Sequence, residues 1–140
     1  MNAEYTARFV SDVVASTVDK NTQTLSKLYA AVVAHDFEAF AKHLSDDVEL
    51  SIEGLPEMSG TWRGREAVVE AARRNYALLY DQKPEMEAMI SQGESIAVLF
   101  HETGIFKAEH RSYYVRGVQW FTFAGGKIRR MDQIVAPARN

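Results

Sequence analysis

The chain reads as a single α+β domain, with helices in its first half and consecutive antiparallel strands in its second. Three observations predict this. Apolar residues recur at three- and four-residue spacing through most of residues 3–80. Val48–Glu53 alternates without fault between apolar and polar side chains. After Pro84 the period falls to two and stays there, with short turns between the runs. Helices segregated from such strands pack on one face of a sheet. With 140 residues, the chain has the length of one domain, typically about 100–150 residues.

Tyr5, Phe9 and Val13 lie four apart and mark a helix over roughly residues 3–18. Asn21 or Thr22 is the expected cap of the next helix, whose buried stripe is Leu25, Leu28, Tyr29, Val32 and Val33. Asp36 reads as a fresh N-cap, with Glu38 in the first turn where the helix dipole favours a carboxylate. Phe37, Phe40 and Leu44 give this short helix its inner side, and Ser45–Asp47 a turn.

Val48, Leu50 and Ile52 then face one way, and Glu49, Ser51 and Glu53 the other. Residues 54–63 read as a loop, and Gly64 opens a helix with Val68, Ala72, Tyr76 and Leu79 or Tyr80 on its apolar side. Strands are expected over 85–92, 95–106, 111–123 and 127–135. The turns between them are Gly93-Glu94, Lys107–His110 and Ala124–Gly126.

Composition excludes several functions. Hydrophobic residues make up 46% and charged residues 25%, and the net charge is −3. That balance argues against a protein that coats nucleic acid. Without cysteine there is no disulfide, thiolate metal site or cysteine nucleophile. The longest purely apolar runs, Tyr29–Ala34 and Ile96–Phe100, fall far short of the ~20 residues of a membrane span. Met1–Val10 carries Glu4 and Arg8 and no apolar signal region, so a cytoplasmic protein is expected. The four histidines lack metal-ligand spacing, and no phosphate loop or dinucleotide fingerprint occurs; neither a metal nor a cofactor is expected.

Three segments carry a resemblance: Tyr29–Phe37 followed by Leu44–Leu50, Gly60–Val68, and Val115–Ile128. In order and wording they resemble the nuclear transport factor 2-like superfamily, in its SnoaL-like polyketide cyclase and ketosteroid isomerase-like branch. The resemblance covers about residues 22–136. It divides the chain into an additional N-terminal helix, 1–21, and a SnoaL-like domain, 22–140. It implies a cone-shaped α+β barrel: a curved, mostly antiparallel sheet wrapped around helices, with an internal pocket and often a dimer through the outer sheet face.

Strand parity within that cone predicts the pocket. Val48, Leu50 and Ile52 face inward. So, on this reading, do Leu99, His101, Thr103 and Ile105, then Tyr113, Val115, Gly117, Gln119, Phe121 and Phe123, then Met131, Gln133 and Val135. Val98, Phe100, Arg116, Val118, Trp120 and Asp132 face outward. Of these, Val98, Phe100, Val118 and Trp120 form an apolar patch for a homodimer.

A ketosteroid isomerase needs a carboxylate base, a tyrosine and a protonated acid. Aligned on Asp36 and Asp47, this chain offers Ile52, Leu28 and Gln119 instead, with Glu53 and Tyr29 each one residue out of register. The steroid-isomerase carboxylates are therefore unmatched.

The expected catalytic candidates are His101, as acid or base in an otherwise apolar strand, and Gln119, whose amide can donate to a carbonyl oxygen. Each is equally readable as a satisfied core residue. Gln133 converges on them, and Tyr29, Ile52, Trp62, Tyr76, Tyr113, Phe121 and Met131 are candidate ligand-binding walls. Arg116 and Asp132 read as outward ion-pairing residues.

The expected function is a small-molecule pocket for an apolar carbonyl or polycyclic ligand. Cofactor-independent cyclase, isomerase or dehydratase chemistry is one form of it. Hydrophobic-ligand binding without turnover, or a dimeric assembly role, is the alternative.

Overall fold

The computed structural model describes residues 17–138. Its elements, in order, are α1 (Thr17–Val33), α2 (Phe37–Lys42), β1 (Leu44–Glu53), β2 (Gly60–Arg63), α3 (Arg65–Ala77), β3 (Leu79–Gln92), β4 (Ser95–Phe106), β5 (Arg111–Ala124) and β6 (Lys127–Pro137). The N-terminal helix expected over residues 3–18 falls almost wholly outside the described residues, while the division expected at residue 21 lies within α1. Asn21 and Thr22 do not act as caps. Helix α1 already runs from Thr17, and both residues are buried within it.

The six strands form one curved sheet in the order β2-β1-β6-β5-β4-β3. Every neighbouring pair is antiparallel except β1 with β6, which is parallel. Leu25, Leu28 and Tyr29 of α1 and Val68, Ala71 and Ala72 of α3 join the inner sheet face in one apolar cluster. Each such buried side chain contributes about 1.5–3 kcal/mol relative to exposure.

Local chemistry explains most boundaries. Asp36 caps α2, its carboxylate accepting from the Ala39 amide at 3.1 Å. Gly125 and Gly126 both hold positive φ, 58° and 80°, as a tight two-residue hairpin requires.

Three segments depart from the expectation. Leu44, expected on the short helix, and Ser45–Asp47, expected as a turn, already belong to β1. Residues 60–63, expected as loop, are the edge strand β2, which sets Trp62 opposite Leu50. Leu79–Pro84, expected at a helix end and in a loop, begin β3. That strand is also an edge, and there Pro84 removes no needed ladder bond.

The facing of β4 is a correction. Ile96, Val98, Phe100 and Phe106 are buried, with Val98 at 0% exposure, while Leu99, His101, Thr103 and Ile105 are only half-buried. Val98 and Phe100 therefore belong to the core and not to the outer patch. The β5 and β6 facings are as expected: Val115, Phe121, Phe123, Met131 and Val135 are buried. The outer face instead exposes Val118, Trp120 and Ile134, with Ile90 on the edge strand. Among the described residues, no helix is long and apolar enough to cross a membrane.

Candidate functional site

Between α1, α3 and the inner sheet face lies a cavity of about 640 Å³, counting its open mouth. Leu28, Phe40, Leu50, Ile52, Phe121 and Met131 supply apolar walls. Two side lobes adjoin it. One runs toward Gln82, Met86 and Glu102, the other toward Phe106, Tyr113 and Val115. Tyr76 and Gln119 line all three spaces and so stand at their junction. A mostly apolar cavity with a few converging polar groups is the usual form of a small-molecule site.

Gln119 and Gln133 are directly opposite on β5 and β6. The Gln119 Nε2 amide donates to Gln133 Oε1 at 2.9 Å, and the Tyr29 hydroxyl of α1 donates to Gln119 Oε1. Donation thus runs in one direction, from Tyr29 through Gln119 to Gln133. It leaves the Gln133 amide group with donors for a further acceptor. Tyr29, one residue out of register by resemblance, reaches the cavity because Leu28 and Tyr29 both belong to the buried stripe of α1. Its ring meets Phe121 edge-on at 6.1 Å.

Asn75 of α3 also lines the main space. It is 3% exposed, and its Oδ1 has no hydrogen-bond partner. A buried acceptor left open is uncommon in folded proteins. Its position on α3 was not singled out in the sequence, where an asparagine among Arg74 and Tyr76 carries no motif.

Glu102 is the second residue that the sequence reading missed. It lies on the inner face of β4, opposite Val115. Its carboxyl accepts from the Tyr113 hydroxyl at 2.5 Å and from the Gln82 side chain. Burial pushes this carboxyl above the usual glutamate range, against the two hydrogen bonds that favour the charged form. Burial, reinforced by Glu102, likewise pushes the phenols of Tyr113 and Tyr76 well up, so both remain neutral donors. A signal for Glu102 was present. The four-residue turn Lys107–His110 pairs Phe106 with Arg111 and hence Glu102 with Val115. With Val115 facing inward, Glu102 must follow.

His101 lies on the opposite face. Its ring stacks on Tyr114 at 5.7 Å, and its nitrogens meet Glu87 at 3.0 Å and Glu85 at 3.3 Å. Arg116 grips Glu87 through two bonds, of 3.0 and 2.9 Å, and with His101 holds that carboxyl down to about 2. Asp132 pairs with Arg130 at 2.8 Å. Arg116 and Asp132 are thus outward ion-pairing residues with separate partners. His101 does not line the cavity, because the β4–β5 register sets it opposite Arg116.

The other expected site residues separate as follows. Tyr29, Ile52, Tyr76, Gln119, Phe121, Met131 and Gln133 line the main space, and Tyr113 lines a side lobe. Trp62 does not. It is half-buried on β2, with the Arg74 guanidinium 5.7 Å from its ring. Among the described residues, no cluster of histidine and carboxylate side chains is arranged to hold a metal ion.

Residues 25–131 match the family model of the SnoaL-like domain, so the chain belongs to that family. Among curated proteins none matches it. Solved structures of similar fold include a protein from Jannaschia sp. CCS1 named as a SnoaL-like polyketide cyclase. It is 15% identical with a TM-score of 0.75, over 88% of this chain and 90% of that one. An NTF2-like protein from Burkholderia pseudomallei is 22% identical with a TM-score of 0.73, over 81% and 88%. RV0760c from Mycobacterium tuberculosis, solved with estradiol-17beta-hemisuccinate, is 21% identical with a TM-score of 0.70, over 81% and 92%. At these identities the likeness is one of fold.

Proposed function

We propose that this SnoaL-like chain binds a small, largely apolar carbonyl compound and turns it over by acid–base chemistry without a cofactor. The reaction would be an isomerisation, cyclisation or dehydration. The observation that carries this reading is the one-way hydrogen-bond line Tyr29–Gln119–Gln133, which ends in amide donors within an apolar cavity. Donors fixed by their own partners polarise a carbonyl oxygen and stabilise negative charge that develops on it. The unpartnered Asn75 Oδ1 offers an acceptor for a ligand hydroxyl in the same space. RV0760c, of similar fold, was crystallised with estradiol-17beta-hemisuccinate, a ligand of this general character.

Binding without turnover is the second reading. It is favoured by the line itself, since amides and phenols do not titrate near neutrality. The proposal also includes a homodimer through the outer sheet face, where Val118, Trp120 and Ile134 are exposed together.

The test is a thermal-shift screen of aromatic and polycyclic ketones on the wild type and on Gln119→Leu. Ketones that raise the Tm of the wild type and not of the variant support the site. Each hit is then incubated with the wild type and analysed for isomerised, cyclised or dehydrated product. Equal shifts in both proteins would remove Gln119 from the site, and binding without product would leave a carrier.

A further inference from the structure

The β4–β5 ladder builds a second polar pole in the cavity, apart from the Tyr29–Gln119–Gln133 line. Glu102 sits there among Phe100, Phe106, Val115 and Val135, in lobes that Gln119 also lines. Its carboxyl is enclosed, while the residue as a whole is half-buried. The pole has its own scaffold. Tyr113 stands opposite Gly104, where any Cβ would collide with the Tyr113 ring and hydroxyl. Gly104 therefore clears the path by which the phenol reaches Glu102.

The groups facing Glu102 are Tyr113 from β5, Gln82 from β3 and Tyr76 from α3. Among the described residues, no lysine or arginine pairs with it. Its two partners, Tyr113 and Gln82, donate to the carboxylate. In the acid form its own O–H becomes a donor that a ligand oxygen in the lobe can accept, in competition with the Tyr113 and Gln82 oxygens. Burial favours that form.

We propose that Glu102 is a ligand-contacting acid, donating a hydrogen bond to a ligand oxygen in the lobe walled by Phe100, Phe106 and Val115. This rests on the carbonyl-site reading above and narrows it. One ligand spanning the junction at Gln119 meets amide donors at one oxygen and Glu102 at another. The ligand class is a compact aromatic compound with two separate oxygens, such as a diketone or quinone.

The experiment is calorimetric titration of the full chain with 1,4-naphthoquinone and with 1-tetralone, which has one carbonyl, between pH 5 and 9. The wild type is expected to prefer the quinone at least fivefold at pH 5 and to lose that preference as Glu102 ionises. Glu102→Gln keeps a donor and should hold the preference constant with pH. Glu102→Leu should abolish it at every pH. His35→Gln controls for the one histidine behind the pole, whose Nε2 lies 3.4 Å from Gln82, and should reproduce the wild-type profile. A Leu variant that keeps the wild-type preference overturns the inference. If 1-tetralone binds in a Gln119-dependent way while the preference ignores Glu102, this inference alone fails. If neither probe binds, the carbonyl-site reading fails with it.

Discussion

His101 and Glu102 are neighbours in the chain and lie on opposite faces of one sheet. Outside, the half-buried His101 meets Glu85 and Glu87, and Arg116 pairs with Glu87, on the solvent side of the sheet. Inside, Glu102 has only neutral partners and apolar walls. The two faces drive glutamates in opposite directions. Arg116 holds Glu87 down to about 2, whereas burial pushes Glu102 up. The strand's two sides thus give neighbouring carboxyls opposite pressures, an arginine partner favouring the charged form outside and burial favouring the neutral form inside. The outer group is screened by salt and exchanges with water. The inner groups are enclosed by apolar side chains.

The largest expected contrast is in stability. Phe100→Ala, on the inner face, should cost about 3–5 kcal/mol in urea unfolding through the cavity it leaves. Leu99→Ala, next to it on the outer face, should cost roughly 1 kcal/mol or less. Equal losses would mean that β4 is not sided as described.

Association is the next contrast. The wild type should run near twice its chain mass of 15.8 kDa in light scattering at micromolar concentration. Trp120→Glu should run as the single chain, because a charge in an apolar contact is costly. A monomeric wild type would leave the outer patch without this role.

A third contrast follows pH. A carboxyl whose folded pKa is raised contributes stability that is full below the unfolded value and is lost as pH rises through the folded one. Glu102→Gln should therefore gain in Tm over the wild type as pH rises from 4 to 9. Glu87 has the opposite sign. Its contribution is present above the unfolded pKa and fades only as pH falls toward about 2. Glu87→Gln should accordingly show no widening difference above pH 5, and its Tm should stay within about two degrees of wild type. Parallel profiles for the two variants would erase the distinction between the faces.

The smallest expected effect is that of His101→Gln, which should leave ketone binding unchanged. A loss of binding there would return His101 to the site.

The features legible in the sequence were those fixed within one segment. Val48, Leu50 and Ile52 of β1 alternate with polar residues, and all three are buried. Asp36 announces its cap two residues ahead of Glu38. On β5 and β6, where Val118, Trp120 and Ile134 break the alternation, strand parity set by the family resemblance sided Phe121, Phe123 and Met131 correctly. Strand β4 has apolar residues on both sides, Ala97 and Leu99 as well as Ile96, Val98 and Phe100. Alternation alone could not side it, and only its pairing with β5 does so. His101 was misplaced and Glu102 missed for that one reason. Asn75 was invisible for another. Its open acceptor becomes apparent only when α3 is packed over the cavity.

The cavity assignment is tested most directly by a crystal structure of the protein with 1-tetralone bound. The expected result is the ligand ring between Leu50, Phe121 and Met131, with its carbonyl oxygen about 3 Å from an amide nitrogen of Gln119 or Gln133. Electron density for the ligand on the outer sheet face, beside His101 and Tyr114, with the cavity closed, would contradict it.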